Sequence, residues 1–484
     1  MKNLIFVLDQ GTTHHKIVVF DKEGLVIDSF SAHAPELVTH AQGLGFGPEH
    51  LARVSNDLIA QVLAKYPGRF LGFGFANQGE SVLAWNRKTS EPLSQVISWQ
   101  CQGAADFLKE KKSFYQSIQE KSGLIPNPYF SAAKLGKLFY GCESVHQAAT
   151  RGELALGTLD SWMIWQWTGG RDFVTDPTTA CRTQLFETFQ GKWSSHLMDV
   201  FGLKTEYFAK VLSNSSFDIV CDKGPFAGAP LPLLASYCDQ PASLIGHGGI
   251  DQSVLKASFG TGVFVDLSIP SGVRAKNLLV SLLHAPQEGT AEAHYYLEGG
   301  VLSFASAMEW VEKNWSLDRK IILNQLQRQS GCYVLPAFSG LGAPHFRPGF
   351  KTVLSQIGLE TTPQDLAVSM VQSLVFRVVE IIQEMELSHA LPHHLYVDGG
   401  FSQSAPLMQF LADALQRPVV IQDHPEITSV GVLRTILARL GGQTQVCAEA
   451  IQKIQHTIEP ANTLPQNLYK VWQEKTAQLL GASN

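Results

Sequence analysis

Leu4-Ile5-Phe6-Val7-Leu8-Asp9-Gln10-Gly11-Thr12-Thr13 decides how the rest of this chain is read. The apolar run Leu4–Leu8 reads as a strand, and Ile17-Val18-Val19-Phe20 as its partner. Between them lie a carboxylate, a glycine and two threonine hydroxyls. A tight turn of this composition offers backbone N–H groups and hydroxyls to a phosphate. Its acid is of the kind that holds a divalent metal, directly or through water. Asp and Gly are also ordinary hairpin residues, so the stretch alone is equally a plain hairpin.

The chain has 484 residues, more than one ordinary core, which predicts two domains. Hydrophobic content of 45% with 17% charged residues is that of a globular protein. The balance of 37 basic to 43 acidic residues gives no nucleic-acid or membrane surface. Seven cysteines are scattered without a Cys-x-x-Cys pair, the pattern of reduced thiols in a cytoplasmic protein. The pairs His14-His15 and His393-His394 lack partners of metal-ligand type. The apolar run after Met1-Lys2 is too short for a signal sequence, and no stretch reaches transmembrane length.

Further along, Leu25–Phe30 predicts a third strand and Leu51–Ala64 a helix with one apolar side. Phe70–Phe75 is a strand ending at Asn77-Gln78-Gly79-Glu80, and Val82–Trp85 is another. The same grammar returns in the second half. The apolar Ser243–Ile245 runs into Gly246-His247-Gly248-Gly249-Ile250-Asp251-Gln252. Phe259-Gly260-Thr261-Gly262 leads into the strand Val263–Leu267. Leu395-Tyr396-Val397 ends at Asp398-Gly399-Gly400, before a helical pattern Leu407, Phe410, Leu411, Leu415. Strands alternating with helices predict an α/β architecture. The repeated strand–turn–strand unit predicts two related lobes, 1–245 and 246–484, with a ligand cleft between them. Pro230-Leu231-Pro232 gives a linker cue just before the boundary.

Four turns are of phosphate-binding type: Asp9–Thr13, Gly260-Thr261-Gly262, Asp398-Gly399-Gly400 and the glycine loop Ser339–Pro344. Asp251 follows a glycine-rich strand end, at the lip of a sheet where clefts form. It is the acid expected to accept a hydroxyl proton in phosphoryl transfer; the plainer reading is a helix cap. Glu80 is placed to accept hydrogen bonds from a hydroxylated substrate, with Trp99 as a wall. Trp162, Trp165 and Trp167 read as packing residues.

The chain resembles the FGGY carbohydrate kinases, and within them the glycerol kinases. The resemblance rests on LDQGTT at 8–13, NQGE at 77–80, WQC at 99–101, PYFSAAKL at 128–135, GTLDSWMIWQWTGG at 157–170, CRT at 181–183, IDQ at 250–252, FGTG at 259–262, LEGG at 297–300, PAFSGLGAP at 336–344 and VDGG at 397–400. These run in family order from end to end. The resemblance implies two actin-like, ribonuclease-H-like ATPase domains with an interdomain cleft. It implies ATP and Mg²⁺ in that cleft and a small polyol or sugar deeper in the first lobe. Asp251 would be the base, and Asp9 and Asp251 the metal-side carboxylates. Thr12, Thr13, Lys16, Gly260, Thr261, Gly262, Gly399 and Gly400 would meet the nucleotide. Gly79, Glu80, Trp99, Tyr129, Asp251, Gln252 and Phe264 would meet the acceptor. It leaves room for a homodimer.

The chain also departs from the family. Gly79 stands where glycerol kinases carry an arginine that binds substrate hydroxyls. Losing that charged donor costs about 1.5–3 kcal/mol, and it opens space beside Glu80. Lys16 replaces an arginine and loses its bidentate fork. His14 and His15 replace small hydroxyl residues, and Lys137 stands in place of a tryptophan. The stretch from Asp251 to Gly260 is shorter than the family pattern, and Arg347–Lys351 differs from it. Three readings follow: a kinase with glycerol as the default acceptor, a kinase for a ketose or four- to five-carbon polyol, and a non-catalytic nucleotide- or sugar-binding regulatory member.

Overall fold

The computed structural model describes residues 3–214, 216–286, 292–422, 426–441 and 455–481. Its first sheet is built on the opening hairpin, β1 (Leu4–Gln10) and β2 (His14–Asp21), antiparallel with Asp9 opposite Lys16. β3 (Val26–His33) continues the meander antiparallel to β2. β4 (Phe70–Asn77) lies parallel to β1 on its other side, and β5 (Leu231–Cys238) parallel to β4. The short strand Ile219–Cys221 closes the edge. The segment 230–232, read as a linker, is thus the start of a sheet strand. Its prolines misled because Pro232 is the second residue of β5, paired with Val220 of the edge strand but lying before the residues that pair with β4, where a missing N–H is tolerated.

The second sheet repeats this wiring. β6 (Leu255–Phe259), β7 (Val263–Ile269) and β9 (His294–Val301) form the antiparallel meander, with β8 (Leu279–His284) outside β9. β10 (Leu395–Asp398) is parallel to β6 and β11 (Val419–Gln422) parallel to β10; β12 (Gln455–Ile458) ends the sheet. In both sheets, strands three, two and one are followed across the sheet by four and five, and the last two are parallel to the first. This is the duplicated ribonuclease-H-like fold of the actin-like ATPases.

β1 is apolar without alternation because both its faces are covered. Leu4, Phe6 and Leu8 pack under helix α1 (Pro48–Lys65), which buries Leu51, Leu58, Ile59 and Val62. Ile5 and Val7 point the other way, into a core shared with two more helices. These are α2 (Asp239–Gly246) and α3 (Ile427–Arg439), contributing Ala242, Leu244, Ile245, Val432, Leu433 and Ile436. The apolar segment 243–245 is therefore helix, not strand. A short apolar run does not distinguish the two by periodicity, and Pro241 is tolerated in a helix's first turn.

GTLDSWMIW crosses from strand Leu154–Thr158 into helix Leu159–Trp167. That helix is apolar nearly all round because it is buried nearly all round. Trp162, Trp165 and Trp167 pack against Trp85, Phe173, Phe73 and Phe75. Among the described residues no helix is long and apolar enough to cross a membrane.

Candidate active site

The parallel strands β1, β4 and β5 end level with one another: Gln10 pairs Asn77, and Asn77 pairs Cys238. Residues just past parallel strand ends face the open crevice of an α/β sheet. Those residues are Thr12, then Gln78-Gly79-Glu80, then Asp239-Gln240. All of them line a cavity of about 130 Å³. Trp99 and Tyr129 wall it from the first lobe. Phe264 on β7 and Glu298 on β9 close it from the second.

Glu80 is held in a strained position. Its φ is 61°, a left-handed conformation that a non-glycine residue keeps only when its surroundings impose it. The Ser131 hydroxyl and the Lys134 ammonium both donate to its carbonyl, at 3.2 and 3.0 Å. Burial pulls Lys134 down to about 7, against the attraction of Glu80. The Glu80 carboxylate accepts from Arg182 Nε at 2.5 Å. Arg182 reaches on across the cavity to Glu298, at 2.9 and 3.0 Å, and donates to Ser281 and Tyr296. One guanidinium thus serves two buried carboxylates, one from each lobe.

Trp99 is fixed by its indole N–H, which donates to Thr12 Oγ1 at 3.0 Å, and its ring meets Tyr129 edge-on at 5.6 Å. Asp239 is the first residue of α2, and its carboxylate accepts from the Gln240 backbone N–H at 2.8 Å. Burial pushes Asp239 up; that N–H, Lys256 and Arg182 act against the push.

Asp9 is half-buried and pushed up to about 7, by burial first and then by the Asp239 carboxylate, with Lys16 opposing. Its Oδ1 has no hydrogen-bond partner among the described residues. Two mutually repelling carboxylates, one with an orphaned oxygen, suit a hard divalent cation.

Asp251 and Gln252 are not part of this cavity. Asp251 is 65% exposed and paired with Arg434, and Gln252 is exposed. The glycines before Asp251 end helix α2, a common role of glycine. Cys238-Asp239-Gln240 holds the place that sequence reading gave to Ile250-Asp251-Gln252. The short stretch from Asp251 to Gly260 disappears when counted from Asp239, since α2 occupies the difference. The missed signal was the apolar strand Leu231–Cys238 running directly into an acid, as β1 does at Asp9. Arg182 and Glu298 were also missed as cavity residues, although both lie in family-like stretches, CRT and LEGG.

Gly79 does line the cavity, but without opening space. A Cβ there would sit 2.9 Å from Cys238 Sγ, so the thiol already fills the place beside it. His15 faces the core, with Nδ1 3.0 Å from Ser55 Oγ; Lys137 donates to the Gly103 carbonyl at 2.6 Å. Of the seven cysteines, Cys447 lies outside the described residues and the other six are free.

The remaining turns lie at strand ends of the second sheet. Gly260 and Thr261 are exposed between β6 and β7, and the Thr261 carbonyl accepts from Ala305 N–H. Gly399, at φ 88°, ends β10 beside them. A Cβ there would stand 2.4 Å from the Phe259 carbonyl oxygen, so only glycine lets the two turns adjoin. Gly400 is exposed. Lys16 pairs Glu426 at 2.5 Å, across the lobes beside Asp9.

Duplicated lobes around a cleft of buried carboxylates and phosphate-type turns define the sugar-kinase branch of the actin-like phosphotransferases. The N-terminal domain model of the FGGY family of carbohydrate kinases matches residues 4–246, and the C-terminal domain model residues 255–438. The chain belongs to the FGGY family of carbohydrate kinases and is an ATP-dependent kinase of a small polyol or sugar. It is 28% identical to glycerol kinase 1 of Thermotoga maritima, over 98% of this chain and 99% of that protein. It is 32% identical to a glycerol kinase of Alkalilimnicola ehrlichii, over 88% of each. The crystal structure of Plasmodium falciparum glycerol kinase with ADP superposes with a TM-score of 0.88 at 22% identity, covering 100% of this chain and 98% of that one.

Proposed function

We propose that this kinase phosphorylates a terminal hydroxyl of glycerol, with Asp239 as the general base. The observation that carries the reading is the cavity itself. It is small, it places Asp239 beside Glu80 and Trp99, and it borders the phosphate turn at Thr12. The Asp239 carboxylate takes the hydroxyl proton as the acceptor oxygen bonds to the γ-phosphorus of ATP. The bond from that phosphorus to its β,γ-bridging oxygen breaks, and ADP leaves. Glu80, held by Arg182, accepts hydrogen bonds from the other hydroxyls, while Trp99, Tyr129 and Phe264 enclose the carbon chain. Thr12, Thr13, Gly260–Gly262, Gly399 and Gly400 donate to the nucleotide phosphates. Mg²⁺, when bound, would neutralise charge on the phosphate oxygens, and Asp9 with its orphaned oxygen is the residue to hold it.

Two features favour a short, neutral acceptor. Cys238 fills the space that Gly79 leaves, so loss of an arginine there does not become room for a longer chain. The lining carries Glu80, Asp239 and Glu298 against Arg182, whose guanidinium is already committed to two of them. The reduced cysteines and the demand for ATP suit a cytoplasmic setting. An ADP-release assay with glycerol, erythritol, xylulose and glycerate tests the reading. Glycerol should have the highest kcat/KM and glycerate the lowest. A higher kcat/KM for xylulose or erythritol would replace glycerol by the longer acceptor, and no turnover with any of them would overturn the assignment.

A further inference from the structure

Lys256 is one of the few charged residues buried to 1% exposure, and neither phosphate binding nor proton transfer uses it directly. It stands on β6, opposite Asp266 of β7 and beside Tyr396 of β10. Its ammonium points out of the second sheet toward α2. There it donates to Ser243 Oγ at 3.0 Å and to Gln240 Oε1 at 3.2 Å. Gln240 lines the acceptor cavity next to Asp239. Two carboxylates flank the same ammonium at 3.8 Å each: Asp266, fully buried, and Asp398, partly exposed where β10 enters the Gly399-Gly400 turn. Neither oxygen of Asp266 has a hydrogen-bond partner among the described residues. An ammonium has three protons. Two go to neutral oxygens on the acceptor side, leaving one to be shared between two acids.

We propose that Lys256 is a positioning residue that couples the nucleotide turn at Asp398 to the acceptor-side end of α2 through Gln240. The inference rests on the functional reading above. Polyphosphate bound at the turn adds negative charge beside Asp398 and so changes the share of the ammonium that Asp398 holds against Asp266. The hold on Gln240, and with it the placement of the first turn of α2, changes in step. Coupling between two ligands is reciprocal, so acceptor should tighten nucleotide binding by the factor by which nucleotide tightens acceptor binding.

The test measures glycerol affinity by calorimetry on the full chain, with and without the β,γ-imido analogue of ATP, alongside steady-state kcat and KM. The proteins are wild type, Lys256→Met, Lys256→Arg and the double variant Lys256→Met/Asp266→Asn. The double variant removes both buried charges together, so it keeps its fold where the single one strands Asp266. Wild type should show coupling of about 5-fold or more. The double variant should lose it, with kcat falling about 10-fold or more while affinity for the ATP analogue without glycerol stays within about 3-fold. Lys256→Arg, which keeps the charge, should recover part of the coupling. Unchanged coupling in the folded double variant overturns the inference and leaves the function standing. Absence of glycerol turnover and binding in wild type overturns both.

Discussion

Asp239, the proposed proton acceptor, and Asp251, a surface acid, differ in their surroundings. One is half-buried and lines a cavity with Cys238, Gln240 and Arg182; the other is mostly exposed and bound to a single arginine. Asp239→Asn should lower kcat by more than about 100-fold while leaving ATP-analogue binding intact. Asp251→Asn should stay within about 2-fold of wild type, as expected for a surface ion pair. Near-normal turnover by Asp239→Asn would refute its role as base. Glu80, Trp99 and Asp9 were legible in sequence from the strand-end pattern, whereas Asp239, which also directly follows a strand, was passed over. Asp251 drew the reading because it follows a glycine-rich turn, whereas Asp239 ends an apolar run and precedes Pro241; only the tertiary structure shows which Asp-Gln pair lines the cavity. His15 gives a second test at this scale. Burial, with His50 nearby, lowers its pKa from 6.5 to about 4. The folded chain thus refuses a proton that the unfolded chain accepts. The stability that neutral His15 confers is full above pH 6.5 and is lost as pH falls toward 4. Compared with His15→Gln in urea titrations, wild type should lose up to about 1.4 kcal/mol per pH unit across that window. A pH-independent difference would show that His15 titrates normally.

Among the elements, α2 and α3 carry the contact that joins the halves. A Cβ at Gly431 would lie 1.8 Å from the Ala242 carbonyl oxygen, backbone against backbone. Alanine is the better helix former by about 1 kcal/mol. Forcing two packed helices apart costs about 1–3 kcal/mol or more, so packing should win. Gly431→Ala should lower the urea midpoint and reduce kcat, since α2 begins at Asp239. An unchanged or raised midpoint would mean the helices part freely. Sequence periodicity found α1 because one face of it meets solvent. It missed α2 because this short helix is buried on nearly every side, and a buried run shows no period.

At the scale of the whole molecule, Arg182 ties the lobes together through Glu80 and Glu298. Burial pushes Glu80 up, and Arg182 is the main force against that. Arg182→Met would leave two buried carboxylates without their cation, and the expected loss is about 3–5 kcal/mol. The triple variant Glu80→Gln/Arg182→Met/Glu298→Gln should regain much of that stability and remain inactive. Recovery of activity along with stability would show that the cluster is structural only. Hydrophobic cores on both faces of the first sheet, one of them filled by a helix from the second half, make each lobe depend on the other.

The architecture was determined by sequence alone, because strand-ending turns repeat in both halves and a strand covered on two sides must be apolar throughout. The family stretches around those turns carried the chemistry of phosphate transfer with them. Tertiary structure decided which acid enters the cavity, that Cys238 fills the space beside Gly79, and that Arg182 and Lys256 span the lobes. These depend on residues distant in the chain meeting at one place, and neither local propensity nor period records such meetings.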